Sequence, residues 1–228
     1  MRLAIHQPQY LPWLGYLDKI DRAEQFIVLN TVQFKKNEWQ NRNRIRTAQG
    51  WQWLTVPVLH RFGQTLGEVR INPSSDWQSK HLRALEVHYA RAPFRDRVLR
   101  GLACVLNQQW DRLADLNLAV LRWMLDAFGI KTPLRLASEL HVREEPTDRL
   151  IDLCRAAGAT HYLAGAGAAQ YMDVPRFEVS GVKLVVQNFR HPVYAQCYEP
   201  FIPGLSALDL LFMRGEEALP VLRSARIT

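Results

Sequence analysis

A histidine, two glutamines and two large aromatic residues stand together directly after the first apolar run of the chain. His6 ends the run RLAIH, and the segment QPQYLPW follows it. The two prolines each remove a backbone donor and restrict the preceding residue, so the loop has few conformations. A rigid loop of polar and aromatic groups is typical of a preorganised site, although a hydrogen-bonded structural corner is the alternative. The residues predicted to lie at this site are His6, Gln7, Gln9, Tyr10 and Trp13.

The second group is basic and rich in amides, and it lies between residues 33 and 44. Arg42 and Arg44 supply forked donors that suit a phosphate or a carboxylate, and Lys35 adds a point charge. A solvated charged loop, the alternative, has no need of a tryptophan and several amides. Single-stranded nucleic acid also binds basic residues interleaved with aromatic ones, but without an RNA-binding motif this ligand is not expected. The predicted substrate-binding residues are Gln33, Lys35, Trp39, Asn41, Arg42 and Asn43.

Two later segments carry further polar groups at the ends of apolar runs. The run THYLA leads into Gly165-Ala166-Gly167, where small residues let a ligand approach the backbone, and a short helix is expected at 168–172. Gly-x-Gly alone is more typical of a tight turn. The segment HPVYAQ again combines a histidine with a proline-stiffened loop. His191 is predicted to act in catalysis, and the predicted binding residues here are Tyr162, Gly165, Tyr194 and Gln196.

Cysteine chemistry and metal binding are both disfavoured. Cys197 follows His191 by six positions, and such proximity within a loop does not establish a nucleophile and its base. The seven histidines are scattered without His-x-x-x-His or His-Glu spacing, so we expect no metal site. Three cysteines without paired spacing exclude a disulfide framework and suit a reducing compartment.

The composition indicates a folded protein outside the membrane. Of 228 residues, 48% are hydrophobic and 22% are charged, which excludes a disordered or fibrous chain. The net charge of +7 weakly favours an anionic partner. No apolar run has the length of a bilayer span, and the opening residues contain no signal-peptide core. We expect a cytoplasmic protein without membrane insertion.

The elements that must position these groups alternate between strands and helices. Predicted strands at 2–6 and 25–30, with a helix at about 14–23 between them, form a βαβ unit and favour a parallel sheet. Predicted helices at 77–89, 94–108 and 111–128 make residues 75–129 a helical subdomain. We predict an α/β fold in which residues 1–74 and 130–228 form one unit around a mostly parallel sheet. Because ligands bind beyond the carboxyl ends of such strands, we expect His6, Tyr10, Arg42 and His191 to share one cleft.

Together these blocks resemble the WbqC-like protein family over nearly the whole chain. The matching blocks include HQPQYLPW with Gly15, Tyr16 and Lys19, then VQF, WQNRN, WLTVPV, HPVY and FIP. The resemblance implies a role in bacterial assembly of O-antigen in lipopolysaccharide, of capsule or of secondary metabolites. The opening strand, histidine loop and helix are also similar, more faintly, to the nucleotidylyltransferase superfamily. That likeness implies a Rossmann-like sheet.

The leading functional hypothesis, which rests partly on this resemblance, is a transferase that moves an acyl or aminoacyl group onto the amine of an amino sugar or small metabolite. His6 or His191 would act as general base, and Tyr10 would donate to a developing oxyanion. Arg42 and Lys35 would hold a phosphate of a nucleotide-sugar or of a phosphopantetheine arm on a carrier protein. The alternatives are nucleotidyl transfer and a non-catalytic sugar-nucleotide-binding protein. The cofactor and the oligomeric state stay open.

Overall fold

Parallel strands form the centre of the protein in a computed structural model, which describes residues 1–167 and 172–226. The strands in chain order are β1 (Arg2–His6), β2 (Gln25–Val28), β3 (Arg42–Thr47), β4 (Gly50–Thr55), β5 (Val58–Leu59), β6 (Arg70–Ile71), β7 (Leu134–Leu136), β8 (His161–Ala164) and β9 (Lys183–Val186). The α-helices are α1 (Leu14–Asp21), α2 (Trp77–His88), α3 (Arg95–Leu106), α4 (Leu113–Phe128), α5 (Pro146–Ala156), α6 (Val174–Val179), α7 (Leu208–Arg214) and α8 (Ala218–Ser224).

The main sheet has five strands in the order β7-β2-β1-β8-β9, and each neighbouring pair is parallel. Counted along the chain, these are its third, second, first, fourth and fifth strands. This is the order of a Rossmann-like sheet, in which the strand order reverses beside the first strand. The point of reversal lies between β1 and β8. The predicted α/β class and parallel sheet are therefore confirmed.

Both faces of the sheet are covered, which explains why the residues inside its central strands β1, β2 and β8 are apolar. Side chains alternate along β1, so Leu3 and Ile5 join one buried cluster while Ala4 joins another. The first cluster includes residues of α5 and α6, such as Leu153 and Phe177. The second includes residues of α1, α4 and α7. The helices thus form layers on the two faces of the sheet, and the strand ends remain available to a ligand.

A hairpin of β3 and β4 stands beside the main sheet, and the sequence analysis assigned no strand to β3. The two strands pair antiparallel, with Arg42 opposite Thr55 and Thr47 opposite Gly50. Strand β4 ends at Thr55, before β5. Helices α6 and α8 were also not predicted. The short helix expected at 168–172 falls almost entirely on residues outside the described part of the chain.

The helices α2, α3 and α4 follow one another between β6 and β7. Their buried residues, such as Leu85, Leu102 and Leu121, belong to the same hydrophobic cluster as Ala4 and Leu17. Among the described residues, none of the helices is long and apolar enough to cross a membrane.

Candidate functional site

A cavity of about 590 Å³ lies at the carboxyl ends of β1 and β8, where the strand order of the sheet reverses. Ligands of open α/β sheets bind at this position, because the loops leaving the two strands diverge and leave a crevice. Ile5, Leu29, Val32 and Leu150 form its apolar wall. Its polar lining consists of His6, Gln7, Lys19, Lys35, Arg149 and Tyr162, with Gly165 where the chain leaves β8.

His6 is the last residue of β1, lines this cavity and has one ring nitrogen without a proton. Its Nδ1 lies 3.0 Å from the Gln7 carbonyl oxygen. A carbonyl only accepts, so Nδ1 carries the proton and Nε2 keeps its lone pair. Burial, followed by the charge of Lys19, lowers the pKa of His6 from 6.5 to about 4, while the Gln7 carbonyl raises it slightly. The imidazole is therefore neutral at pH 7 and can accept a proton from a ligand.

Lys19 lies on α1 and is only 3% exposed, although it lines the cavity. Its Nζ donates to the Ile5 carbonyl oxygen over 2.9 Å and lies 5.9 Å from the centre of the Tyr162 ring. No carboxylate forms a salt bridge with it among the described residues. Burial lowers the pKa of Lys19 from 10.5 to about 7, so its charged and neutral forms coexist near neutral pH.

The large cavity is lined by basic groups and, in the described part of the chain, by no aspartate or glutamate. Lys35 and Arg149 add fixed positive charge to that of Lys19. The first turn of α5 also contributes through Pro146, and helix N-termini favour negative charge. This lining can hold an anionic group, such as a phosphate or a carboxylate, next to the neutral imidazole of His6.

A second cavity of about 200 Å³ adjoins the first, because His6, Gln7 and Lys35 line both. Its other lining residues are Gln9, Glu38, Trp39 and Gln40. Gln40 braces the junction, since its Nε2 donates to Gln7 Oε1 over 2.6 Å and its Oε1 accepts from the Lys35 backbone over 2.8 Å. The loop after β1 and the segment 35–40 are therefore held together at the site.

The two cavities bring together seven of the residues that the sequence analysis selected. These are His6, Gln7, Gln9, Lys35, Trp39, Tyr162 and Gly165. They come from three separate parts of the chain. The large cavity also contains residues to which the sequence analysis gave no role, chiefly Lys19 and Arg149. A lysine beside Asp18 within an otherwise apolar helix was the available signal for Lys19.

Tyr10, Asn41 and Asn43 lie in the protein interior instead of the cavity wall, which corrects their expected position. Tyr10 is 0% exposed, and its hydroxyl lies 2.9 Å from His81 Nδ1. Asn41 donates to the Val56 carbonyl oxygen over 3.1 Å, and Asn43 to that of Leu11 over 2.7 Å. Asn43 therefore holds the loop after β1 in shape, and Asn41 connects the segments at residues 37 and 56.

Tyr194 and Gln196 also lie inside the protein, around the buried carboxylate of Asp209. Tyr194 Oη and Gln196 Nε2 each donate to Asp209 Oδ2 over 2.9 Å, and Tyr89 Oη donates to Oδ1 over 2.9 Å. His191 packs against Phe201, and its Nδ1 donates to the Pro192 carbonyl oxygen over 2.8 Å. None of the predicted residues of this segment lines either cavity, so the structure places them apart from His6.

The remaining predicted residues lie at the surface or in aromatic contacts. Arg42 stacks on Trp53, with its guanidinium carbon 4.1 Å from the ring centre. Trp13 packs edge-to-face on Phe189, and Gln33 is exposed. Of the four residues expected to share one cleft, His6 lines the cavities, whereas Tyr10, Arg42 and His191 do not.

Comparison with known proteins gives one family and one clear relative. The sequence model of the WbqC-like protein family matches residues 7–221. A protein of Mycobacterium tuberculosis, described as uncharacterized protein Rv1507c, is 37% identical over 229 residues, which cover 99% of this chain and 99% of that protein. No solved structure matches the chain.

Proposed function

The chain belongs to the WbqC-like protein family, and from its site we propose that it is a transferase that moves an acyl or aminoacyl group onto an amine. The setting that we propose is the assembly of bacterial surface polysaccharide or of a secondary metabolite. One observation carries the proposal: the cavity at the sheet reversal combines a basic lining with the neutral imidazole of His6.

The basic lining supports binding of a phosphorylated donor. Lys35 and Arg149 bear positive charge at the cavity, and the N-terminal turn of α5 adds its dipole. A nucleotide-linked donor and a phosphopantetheine-linked donor both supply the required phosphate. In either case the phosphate anchors the donor, and the transferred group lies toward His6.

His6 is placed to act as the general base. The acceptor nitrogen attacks the acyl carbon, so that a carbon–nitrogen bond forms and the bond to the donor's leaving group breaks with its electron pair. The proton lost by the nitrogen passes to His6 Nε2, and then to the leaving group. A hydrogen-bond donor near the acyl oxygen stabilises the charge that develops there, and Lys19 Nζ has two hydrogens beyond the one given to Ile5.

Nucleotidyl transfer is the second candidate, and the sheet order with a histidine after the first strand favours it. In that reaction His6 would have to stabilise negative charge on the transferred phosphate. A histidine whose pKa is about 4 carries no charge at pH 7. This favours the role of general base in acyl transfer over the stabilisation of charge on a phosphate. Release of pyrophosphate and dependence on Mg²⁺ would identify nucleotidyl transfer.

The test is the replacement of His6, once a donor and an acceptor have been found in a panel of nucleotide-sugars, acyl thioesters and amino sugars. His6→Ala should lower kcat about 100-fold to 10,000-fold. His141→Ala is the matched control, because His141 is exposed and lines neither cavity, and it should keep wild-type turnover. The wild-type rate should fall as the pH drops toward 4, when His6 becomes protonated. Wild-type turnover in His6→Ala would contradict the proposal.

A further inference from the structure

We propose that the 200 Å³ cavity is the acceptor subsite, and that it binds a primary amine carried on a single six-membered ring. This inference rests on the proposed function and adds to it the chemical class of the second substrate. It is argued from the difference between the two cavities, from the side chain of Gln9 and from the position of Trp39.

The two cavities differ in the charge of their linings. Glu38 balances the charge of Lys35 in the lining of the small cavity, whereas the described residues that line the large cavity include basic groups and no acidic one. His6 Nε2 accepts hydrogen bonds, and Glu38 offers two carboxylate oxygens. An amine donates hydrogen bonds, so it complements these acceptors, and Glu38 offsets the charge of Lys35 beside it. The small cavity therefore suits the amine, and the large one suits the anionic donor.

Gln9 is a buried amide that the protein itself leaves without a partner. The residue is 6% exposed, it lines the small cavity, and its Oε1 has no hydrogen-bond partner among the described residues. A buried amide oxygen without a hydrogen bond is destabilising, because it has lost its bonds to water and gained none in return. A ligand with N–H or O–H groups in the cavity would supply the missing bonds to this amide. The neighbouring Gln40 is different, because both ends of its amide are bonded to Gln7 and Lys35.

Trp39 supplies a flat wall to the same cavity. The loop after β1 fixes its backbone, since the Tyr10 N–H donates to the Trp39 carbonyl oxygen over 3.0 Å. Trp53 and Arg44 support the ring, with distances of 5.7 Å between ring centres and 5.6 Å from the guanidinium carbon to the Trp39 ring centre. Aromatic faces attract cations and pack against ring C–H groups. A cavity of about 200 Å³ beside this wall admits one substituted ring.

His6 lines both cavities and so stands between the two proposed ligands. An amine in the small cavity and an acyl carbon in the large one would meet at its imidazole. In this arrangement the nitrogen that attacks is also the nitrogen that His6 deprotonates. The division into two subsites thus accounts for one base serving a two-substrate reaction.

The test uses small amines and their hydroxyl counterparts as probes, so that no natural substrate is needed. Protein labelled with 5-fluorotryptophan gives a fluorine signal for each tryptophan, and Trp39→Phe identifies the signal of Trp39. Glucosamine and cyclohexylamine should shift this signal at concentrations at least tenfold lower than glucose and cyclohexanol. The signal of Trp110, whose Nε1 is bonded to Val105 on α3, should not move.

Two substitutions then locate the amine. Gln9→Leu and Glu38→Gln should each weaken glucosamine binding about tenfold, and Glu178→Gln, an exposed carboxylate outside both cavities, should have no effect. Equal affinity for amines and alcohols, or wild-type affinity in both variants, would overturn the inference.

A parallel titration follows the phosphorus signal of inorganic phosphate, which Arg149→Ala should release from the large cavity. Retained phosphate binding without amine preference would refute the acceptor subsite alone, and loss of both would also remove the support for the donor cavity.

Discussion

At the scale of single residues, Lys19 is a buried amine whose charge lowers the stability of the folded protein. Its amine is buried and has one hydrogen bond, to the Ile5 carbonyl oxygen, with no carboxylate paired to it among the described residues. Burial opposes the charged form and lowers its pKa from 10.5 to about 7. A buried lysine without a counter-ion reduces stability. Such groups are concentrated at functional sites, where their charge binds a ligand or takes part in catalysis. An anionic ligand in the large cavity would supply the missing negative charge.

The pH dependence of stability tests this account through Lys19→Met. Between pH 7 and 10.5 the unfolded chain holds a proton on Lys19 that the folded protein has lost, so stability rises with pH in this window. Relative to Lys19→Met, the wild-type free energy of unfolding should therefore rise by roughly 1 kcal/mol per pH unit from about pH 7 upward. Urea unfolding of both proteins at pH 6, 7, 8 and 9 measures it. A difference that is flat with pH would mean that Lys19 is not held in a buried environment.

Tyr194 gives a second prediction at this scale, because its position indicates a structural role. Its hydroxyl donates to Asp209 inside the protein, so Tyr194→Phe should lower the free energy of unfolding by about 1 kcal/mol. Donor and acceptor affinities should stay at wild-type values. Tyr198→Phe is the control, since no hydrogen bond of the Tyr198 hydroxyl occurs among the described residues, and it should change stability little. A loss of ligand affinity in Tyr194→Phe without a loss of stability would mean that Tyr194 contacts the ligand.

At the scale of elements, the hairpin of β3 and β4 is fixed by one buried arginine. Arg46 is 1% exposed and donates to four carbonyl oxygens, two within the hairpin turn and two in the segment 198–200. Charge-assisted hydrogen bonds of this kind are stronger than neutral ones. The hairpin in turn presents the residues that support Trp39. Arg46 therefore connects a distant part of the chain to the shape of the proposed acceptor subsite.

Replacement of Arg46 should consequently lower the free energy of unfolding strongly. Arg46→Met leaves four carbonyl oxygens without their donor, and we expect a loss of about 3 kcal/mol in the free energy of unfolding. Arg44→Met is the matched control on the same strand, because among the described residues the Arg44 guanidinium makes one hydrogen bond, to the Gly204 carbonyl oxygen over 3.1 Å, besides its contacts with tryptophan rings. Its loss should be about 1 kcal/mol. Equal losses in urea unfolding of the two variants would contradict the anchoring role of Arg46.

The elements with apolar periodicity were predictable from the sequence, and those fixed by distant partners were not. The strands β1 and β8 and the helix α4 have patterns that only one local structure satisfies. The sequence of β3, by contrast, looks like a solvated loop, because three of its six residues are arginines and the partners that bury Arg46 lie about 150 positions away. The same limit applies to the site. The loop after β1 was identifiable by its residue types, but whether Tyr10 or Lys19 faces the cavity depends on packing between α1, α2 and the sheet.

At the scale of the whole molecule, the helices α2 to α4 are joined to the part of the chain that carries the site. Besides the shared hydrophobic cluster, polar contacts cross between them, and three of these end at the site or at the hairpin. His81 bonds to Tyr10, Asn117 donates to the Gln40 carbonyl oxygen over 2.8 Å, and the Arg46 N–H donates to Tyr89 Oη over 3.1 Å. These contacts end on Tyr10 in the loop after β1, on Gln40 in the lining of the small cavity and on Arg46 in the hairpin. These helices therefore hold in place the residues that form and support the proposed acceptor subsite.

We accordingly expect residues 75–129 to unfold together with the rest of the protein, although they form a helical block. Native-state hydrogen exchange at increasing urea concentration measures this, because it gives an opening free energy for each amide. The slowest amides of α4 and of β1 should converge on one value within about 1 kcal/mol, since a core that both share cannot open on one side alone. Asn117→Leu should lower both values equally. If α2 to α4 opened several kcal/mol below β1, the helical block would be a separate folding unit, and Gln40 in the lining of the small cavity would lose its bond from Asn117 whenever that unit opened.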